Sequence, residues 1–168
     1  MRVLVQRVLN AEVRVAGASV GRVGRGFLLF VGITAGDGEP ELQWMATKIA
    51  GLRVFPDAEG RMNNSLLDVR GAALVVSQFT LFADVAHGKR PSFSAAAPGA
   101  IAEPLIQRFV ELLKAEGVES VAEGVFGAAM EVQLTNDGPV TIWIERAPTA
   151  SGVAAGVTPG AADGVVPT

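Results

Sequence analysis

The chain contains no cysteine and a single histidine among its 168 residues. The absence of cysteine excludes disulfides, thiolate metal sites and a cysteine nucleophile. The one histidine, His87, lies between Ala86 and Gly88 in a segment typical of a loop, and a ligand cluster or proton relay usually needs further ligands or relay groups beside it. We therefore expect neither a metal ion nor a cofactor.

Basic charge is also scarce. The formal net charge is −3 and the sequence pI is about 5.2, which argues against broad, sequence-independent binding to nucleic acid, because that mode needs many basic contacts to phosphate. A local basic patch stays open as a hypothesis, with a solvated charged rim as the alternative for most of its members. Its candidates are Arg2, Arg7, Arg14, Arg22, Arg25, Lys89 and Arg90.

Long apolar runs are missing too. No run approaches the roughly 18 residues that a membrane span needs, and the N-terminus lacks the order of basic, apolar and small residues found in a signal peptide. We expect a cytoplasmic protein without membrane attachment. The length and a hydrophobic fraction of 49% fit one globular domain.

Valine alternates with polar residues near the start of the chain, which predicts an antiparallel meander. A continuous apolar run over residues 27–33 predicts a central strand that is buried on both faces. The other predicted strands in the first half of the chain are residues 1–8, 12–15, 20–23, 52–55 and 73–79.

Two segments have apolar residues three and four positions apart, the spacing of an amphipathic helix. The first covers residues 40–50, with Asp37 as a capping candidate. The second ends near Gly117, and we expect Pro104 in its first turn, where a missing N–H costs nothing. Before it, residues 83–100 have the composition of a loop that is long for a compact domain, and such loops often line functional sites.

Two polar segments stand at strand exits. The first, Ser77-Gln78-Phe79-Thr80-Leu81, is either a site segment or a strand that becomes amphipathic. The second lies between residues 130–135 and 140–146, whose alternation predicts an antiparallel hairpin with Asn136-Asp137-Gly138-Pro139 at its tip. An ordinary Asp-Gly turn is the alternative, but Pro139 removes a ladder donor, and a Gly-Pro tip could contact a ligand through main chain alone.

Six segments taken together resemble the D-aminoacyl-tRNA deacylase family, over residues 1–146. They are Leu52-Arg53-Val54-Phe55-Pro56-Asp57, Met62-Asn63, Val75-Val76-Ser77-Gln78-Phe79-Thr80-Leu81, Ala83-Asp84, Arg90-Pro91-Ser92-Phe93 and Asn136-Asp137-Gly138-Pro139-Val140-Thr141. The motifs within 77–81 and 136–141 are specific in combination, because they occur in the right order at opposite ends of one domain. Residues 147–168, mostly small and apolar, have no counterpart in the family pattern and are predicted to form a flexible tail.

The resemblance implies the fold and the assembly of the chain. The fold class is α/β, of α+β type, with antiparallel-rich sheets forming a barrel-like core and two main flanking helices. The resemblance also implies a homodimer whose active site lies at the subunit interface. There the Gly138-Pro139 pair, as a cis peptide, enters the partner's pocket and rejects L-amino acids.

The resemblance further implies an esterase that frees the acceptor end of tRNA from D-amino acids or glycine. The catalytic candidates are Ser77, Gln78, Phe79 and Thr80, with the Phe79 N–H as an oxyanion donor. No side-chain base is evident, which fits water activated with help from the terminal 2′-hydroxyl of the tRNA.

Three further residues receive supporting roles, and two rival functions stay open. Arg7 is expected to hold the carbonyls of the partner's Gly138-Pro139 tip. Lys89 and Arg90 contact acceptor-stem phosphates or belong to a solvated rim. The rival functions are a non-catalytic module that binds the aminoacylated end of tRNA and a hydrolase of small D-amino acid esters.

Overall fold

A computed structural model describes residues 1–149 of the chain. This part folds into eight strands, two α-helices and one short 3₁₀ helix. In chain order they are β1 Arg2–Val15, β2 Ala18–Val23, β3 Gly26–Gly32, α1 Glu39–Ala50, β4 Phe55–Pro56, β5 Met62–Asn64, β6 Ala72–Ser77, the 3₁₀ helix Phe79–Phe82, α2 Gly99–Ala115, β7 Val121–Glu123 and β8 Glu131–Glu145.

One main sheet organises the fold. Its order is β2-β1-β3-β6-β7, and β8 pairs with the opposite edge of β1. β1 is antiparallel to each of its neighbours, whereas β6 runs parallel to both β3 and β7. At Gly21 of β2, an added Cβ would lie 2.6 Å from the carbonyl oxygen of Glu123 in β7, so the sheet nearly closes on itself. The predicted barrel-like α+β fold with two flanking helices is confirmed.

The sheet separates two apolar clusters. Between the sheet and the helices, Phe27 and Leu29 of β3 pack with Leu42 of α1 and Phe109 of α2. Leu28, on the other face of β3, belongs to a second cluster inside the barrel. Successive β3 side chains therefore enter different cores, which explains why its sequence is a continuous apolar run and confirms the predicted central strand.

The first helix forms where the spacing predicted it, but Asp37 does not cap it. The N-cap is Gly38, whose N–H donates to Glu41 Oε2 at 3.0 Å. The Asp37 carboxylate accepts from the N-terminal ammonium of Met1 at 2.6 Å and from the Thr34 N–H at 2.8 Å. The capping prediction is wrong because a buried cation from another part of the chain takes the carboxylate.

Pro104 also departs from its predicted position. α2 begins at Gly99, directly after Pro98 at the N-cap, so Pro104 lies inside the helix and not in its first turn. A proline there removes the N–H that would reach the carbonyl of Ala100 and crowds that oxygen. The sequence pattern missed this because the residues before Pro104 resemble a loop in composition, although they continue the helix.

The predicted hairpin near the C-terminus is wrong. Residues 131–145 form the single strand β8, which runs antiparallel to β1 along nearly its whole length. Gln6 pairs with Thr141 and Val8 pairs with Asn136, so residues 137–140 stand opposite Arg7 alone. These extra residues leave the ladder, and we call them the 137–140 excursion. An Asp-Gly pair favours a hairpin turn locally, but here the long-range pairing of β8 with β1 determines the structure.

The predicted flexible tail, residues 147–168, begins with residues that lie against the domain. The Thr149 N–H donates to Glu41 Oε1 at 2.7 Å, and an added Cβ at Gly36 would lie 3.3 Å from Pro148. The flexibility of residues 147–168 stays a prediction. The remainder of the predicted tail, 150–168, lies outside the described residues.

Replacing Pro104 with alanine is expected to stabilise the protein. Removing a helix-interior proline gains about 3 kcal/mol, and the lost restriction of the unfolded chain offsets up to about 1 kcal/mol. The exposed site leaves room for alanine, so we expect the free energy of unfolding to rise by about 2 kcal/mol in urea titrations. Ala100→Gly, in the same helix, should instead lower the free energy of unfolding. A destabilised Pro104→Ala variant would contradict the interpretation that Pro104 strains the helix.

Candidate active site

A cavity of about 400 Å³ opens where β3 and β6 end. Ser77, Gln78 and Phe79 line it at the exit of β6, and Val31 lines it from β3. The carboxyl ends of adjacent parallel strands meet at one sheet edge, which brings these residues together. The other lining residues are Ile33, Phe93, Ala96, Ala97, Gly99, Ala102, Ile106, Phe126 and Gly127.

The backbone at the strand exit leaves two amides available. The Gln78 N–H donates to the Val31 carbonyl at 2.7 Å, and the chain then turns into the 3₁₀ helix. The next bond in the turn joins the Leu81 N–H to the Gln78 carbonyl at 3.3 Å. Within residues 1–149 the N–H groups of Phe79 and Thr80 have no acceptor, as is usual for the first amides of a helical turn. Adjacent free amides of this kind can bind an oxyanion.

The Gln78 and Thr80 side chains contact each other at this turn. The Gln78 amide group donates to the Thr80 hydroxyl. Thr80 and Phe79 are exposed, whereas Ser77 and Gln78 are half-buried. The structure therefore brings together all four residues that the sequence proposed for catalysis, although it does not test their roles.

Two aromatic rings flank the opening of the cavity. Phe79 and Phe93 pack edge to face with their centroids 5.0 Å apart. Phe93 belongs to the loop that the sequence predicted over residues 83–100, and this loop is held to the domain at Thr34, whose hydroxyl donates to the Ala95 carbonyl at 2.6 Å. The Ala97 N–H adds a bond to the Ile33 carbonyl at 2.9 Å. The predicted loop lines the cavity, as its length suggested.

Arg2 fastens the 3₁₀ turn to the sheet. Its guanidinium donates to the Leu81 carbonyl at 2.9 Å and to Glu145 at 3.0 Å, and it lies 4.4 Å from the centre of the Phe82 ring. The hydrogen bond from Arg2 lowers the pKa of Glu145 below its ordinary value. Arg2, first considered as part of a basic patch, instead supports the turn that carries Phe79.

The Gly138-Pro139 pair occupies the tip of the 137–140 excursion and is exposed. Its peptide bond is cis, and Gly138 has a φ of +128°, a conformation that side chains rarely allow. An added Cβ at Gly138 would lie 2.8 Å from Val140 Cγ2 and 3.1 Å from Arg7 Nη2. The tip is therefore built from backbone that tolerates only glycine at this position.

Arg7 lies beneath the excursion and is 7% exposed. Its Nε donates to the Asp137 carbonyl and approaches Asp137 Oδ2, both at 3.1 Å, and its Nη1 donates to the Val54 carbonyl. These contacts are within one chain. Arg7 thus supports the tip of its own chain, and its expected contact with the partner's tip stays a prediction.

Within one chain the tip and the Ser77 segment lie at different ends of the sheet. Arg7, beside the tip, pairs with Phe27, while Ser77 pairs with Val31 four residues further along β3. This separation is roughly 13 Å along the strands, and the three strand spacings between β8 and β6 add up to about 14 Å across them. A single copy therefore does not bring the two motifs together.

The remaining sequence candidates lie on the loop surface. His87, Lys89 and Arg90 are all exposed. In the part of the chain that the structure describes, no set of three or more acidic or histidine side chains is arranged to hold a metal ion. None of the helices over residues 1–149 has the length and apolarity needed to cross a bilayer.

Phe126 and Gly127 were missed by sequence reasoning. Both line the cavity from the segment between β7 and β8. Gly127 has a φ of +73°, but a glycine before a strand is common, so the sequence offered no signal that distinguished this one. Their contribution depends on the sheet bringing distant segments to one edge.

Solved structures with this fold are known. The protein titled c-Myc DNA Unwinding Element Binding Protein superposes with a TM-score of 0.83 and 42% identity, covering 88% of this chain and 99% of that one. A probable eukaryotic D-amino acid tRNA deacylase superposes with a TM-score of 0.74 at 18% identity, over 85% of this chain and 97% of that one, which speaks for the fold alone. The chain is thus one of the α+β proteins with this nearly closed sheet.

Sequence comparison narrows the class to one family. The family model described as D-Tyr-tRNA(Tyr) deacylase matches residues 4–145, and the chain belongs to this family. The D-aminoacyl-tRNA deacylase of Thermomicrobium roseum is 57% identical over 147 residues, which are 88% of this chain and 95% of that protein. The protein of the same name from Chromobacterium violaceum is 54% identical over 145 residues, 86% of this chain and 97% of its own length.

Truncating Arg7 is expected to destabilise the fold. Arg7→Ala leaves buried carbonyl groups without their charged donor, and hydrogen bonds to charged groups contribute about 1.5–3 kcal/mol each, so we expect a loss of about 2 kcal/mol or more in urea unfolding. The matched control in the same strand is Arg14→Ala, because the Arg14 side chain is 42% exposed and, among residues 1–149, forms its ion pair with Glu12 alone. That change should cost no more than about 0.5 kcal/mol. Equal losses in the two variants would contradict a supporting role for Arg7.

Proposed function

We propose that this protein is a D-aminoacyl-tRNA deacylase whose active site is completed by a second copy of the chain. It hydrolyses the ester between a D-amino acid, or glycine, and the 3′-terminal adenosine of tRNA. One observation carries the proposal. Phe79 and Thr80, whose N–H groups have no acceptor within residues 1–149, and the Gly138-Pro139 tip are all exposed, but the two segments lie at different ends of one chain's sheet.

The ester carbonyl is expected to lie against the cavity at the Phe79 amide. Attack of water on this carbonyl produces an oxyanion, and a preorganised backbone donor stabilises that charge without reorganising. Phe79 supplies the main donor, and Gln78 and Thr80 fix the turn through their side-chain contact. Ser77 begins the turn at the cavity wall.

Water activation does not need a protein base in this proposal. His87 lies on the exposed loop, and the cavity lining formed by residues 1–149 contains no carboxylate or histidine. The terminal 2′-hydroxyl of the tRNA is adjacent to the ester and can assist the attack, so the protein contributes positioning and charge stabilisation. Thr80 is then not a covalent nucleophile, and an acyl-Thr80 adduct trapped with a slow substrate would refute this step.

In this proposal, backbone atoms discriminate between D- and L-amino acids. We propose that the partner's Gly138-Pro139 tip enters the cavity and occupies the direction in which an L side chain would point. A wedge made of backbone rejects L-amino acids whichever side chain they carry. Glycine is accepted because it has no side chain to meet the wedge. Arg7 supports this wedge in each chain through its contacts with Asp137.

The acceptor stem approaches from the loop side. Lys89 and Arg90 are exposed on the loop that carries Phe93, so they are available to phosphates next to the 3′ end. Contacts of this kind orient the RNA and leave the chemistry to the cavity. The net charge of −3 gives no support to a broad DNA-binding role.

The proposal is tested with purified protein and three substrates. D-aminoacyl-tRNA should be hydrolysed, L-aminoacyl-tRNA should persist, and a D-aminoacyl-tRNA that ends in 2′-deoxyadenosine should react slowly. Binding without hydrolysis would favour a non-catalytic module for the aminoacylated end. Equal hydrolysis of small D-amino acid esters would favour a hydrolase that does not require RNA.

Replacing Pro139 with alanine is expected to relax the chirality filter. The proline ring restricts the backbone of the tip, and its loss lets the wedge yield to an L side chain. We expect L-aminoacyl-tRNA hydrolysis to rise at least about tenfold, equivalent to about 1.4 kcal/mol of discrimination, in a variant whose cooperative urea unfolding shows that the fold is retained. Unchanged discrimination against L-substrates would remove the filter from the proposal.

Replacing Phe79 with proline isolates its N–H group. Proline is tolerated at the first position of a helical turn, and Gln78, with a φ of −146° and a ψ of 81°, lies outside the α region that a following proline disfavours. Phe79→Ala is the matched control, because it loses the ring but keeps the amide. We expect the proline variant to be slower than the alanine variant by about 100- to 1000-fold in single-turnover hydrolysis. Equal rates would exclude the amide as the oxyanion donor.

Mixed pairs of these two variants address the second copy directly. A pair of one Pro139→Ala chain and one Phe79→Pro chain, isolated through two different C-terminal tags, contains one site with an intact amide and an intact tip. Such pairs should recover selective hydrolysis at about half the normal rate if the site is shared between chains. Without any recovery, the tip would have to act in some other way.

A further inference from the structure

The 137–140 excursion is closed at its base by one side chain. Asn136 is the last β8 residue paired with β1 before the excursion, and Thr141 is the first one paired after it. The Asn136 Oδ1 atom accepts a hydrogen bond from the Val140 N–H at 2.8 Å. Its Nδ2 group donates to Thr141 Oγ1 at 3.0 Å and to the Val140 carbonyl at 3.4 Å.

We infer that Asn136 is a positioning residue that sets the orientation of the Gly138-Pro139 tip and thereby the stereoselectivity of the site. The inference rests on the proposed function, since it assigns a role within the chirality filter. Asn136 does not touch the cavity. It acts through the backbone of Val140, which follows Pro139 directly.

The position requires an amide side chain. Val140 is 8% exposed and is not paired with a β1 residue, so its N–H needs an acceptor within the excursion. Asparagine supplies that acceptor and also a donor for Thr141, whose hydroxyl accepts a further bond from Gln6 of β1 at 3.2 Å. Because the Asn136 side chain both accepts and donates, it connects the two ends of the excursion, and through Thr141 it is also connected to β1.

Arg7 and Asn136 restrain different parts of the excursion. The Arg7 guanidinium donates to the carbonyl of Asp137, the first residue of the excursion. The Asn136 side chain accepts from the N–H of Val140, the last residue of the excursion. Two restraints on four residues leave the intervening Gly138 and Pro139 little freedom to tilt, and displacements of about 1 Å are enough to disturb a reactive geometry. Because the β1 ladder continues on both sides, loss of Asn136 should release the tip without unpairing β8.

Three variants test the inference, each assayed for hydrolysis of matched D- and L-aminoacyl-tRNA. Asn136→Ala removes all three bonds, and we expect its D-over-L rate ratio to fall at least about tenfold while D-substrate hydrolysis changes by less than about threefold. Asn136→Asp keeps the acceptor for Val140 but loses the donor, so its ratio should be intermediate. Thr141→Val removes the hydroxyl that accepts from Asn136 and from Gln6 but keeps both bonds between Asn136 and Val140, so its ratio should also be intermediate.

The matched control is Asn10→Ala, an exposed asparagine of β1 that is outside the excursion and should keep the normal ratio. Amide exchange supplies a second readout, because the Val140 N–H should lose protection in Asn136→Ala but keep it in Asn136→Asp. If Asn136→Ala fails to fold, the intermediate ratios of Asn136→Asp and Thr141→Val decide the matter.

The outcomes separate this inference from the proposed function. A normal rate ratio in Asn136→Ala, Asn136→Asp and Thr141→Val, together with a reduced ratio in Pro139→Ala, would overturn the role of Asn136 and leave the filter intact. A normal ratio in Pro139→Ala as well would overturn the filter itself. A double variant with both Asn136→Asp and Thr141→Val should lose less selectivity than the two single losses combined, because both changes remove the bond between Asn136 and Thr141.

Discussion

The antiparallel pairing of β1 with β8 is the constraint on which the site depends. Both halves of β8 are held by the same strand, so the four residues between Asn136 and Thr141, which face one β1 residue, cannot be absorbed within the ladder. They project outward, and Arg7 fills the space that they leave. The protrusion is rigid because paired stretches of β1 and β8 flank it on both sides. The turn of a free hairpin would be flanked by only one such ladder.

The catalytic side of the molecule has a different origin. β3 and β6 are the parallel pair at the centre of the sheet, and both end at the same edge. The chain leaves β6 in a helical turn whose first amides have no backbone acceptor in the described part of the chain, next to a cavity lined by the rings of Phe79 and Phe93. Parallel pairing thus creates the pocket and antiparallel pairing creates the protrusion, within one sheet.

Much of the fold and part of the site were predictable from the sequence. Periodicity predicted both helices and the central strand, and the polar exit at Ser77 marked the cavity, because these features depend on neighbours in sequence. Asp37, Pro104 and the supposed hairpin were misread because distant partners decide them: a buried ammonium, a helix that starts earlier, and β1. Phe126 joins the cavity only through tertiary structure, so no local pattern announces it. The catalytic and filter roles of the named residues stay predictions.

The contact between Arg2 and the 3₁₀ turn also has an optical consequence. The chain has two tryptophans, and Trp143 is half-exposed with its ring 5.6 Å from the same guanidinium that binds the Leu81 carbonyl. The other, Trp44, lies on α1 beside Lys48 and Arg146. With Trp44 replaced by phenylalanine, the indole emission would come from a single fluorophore coupled to the turn that carries Phe79. Occupancy of the cavity could then be followed in real time without a label on the RNA.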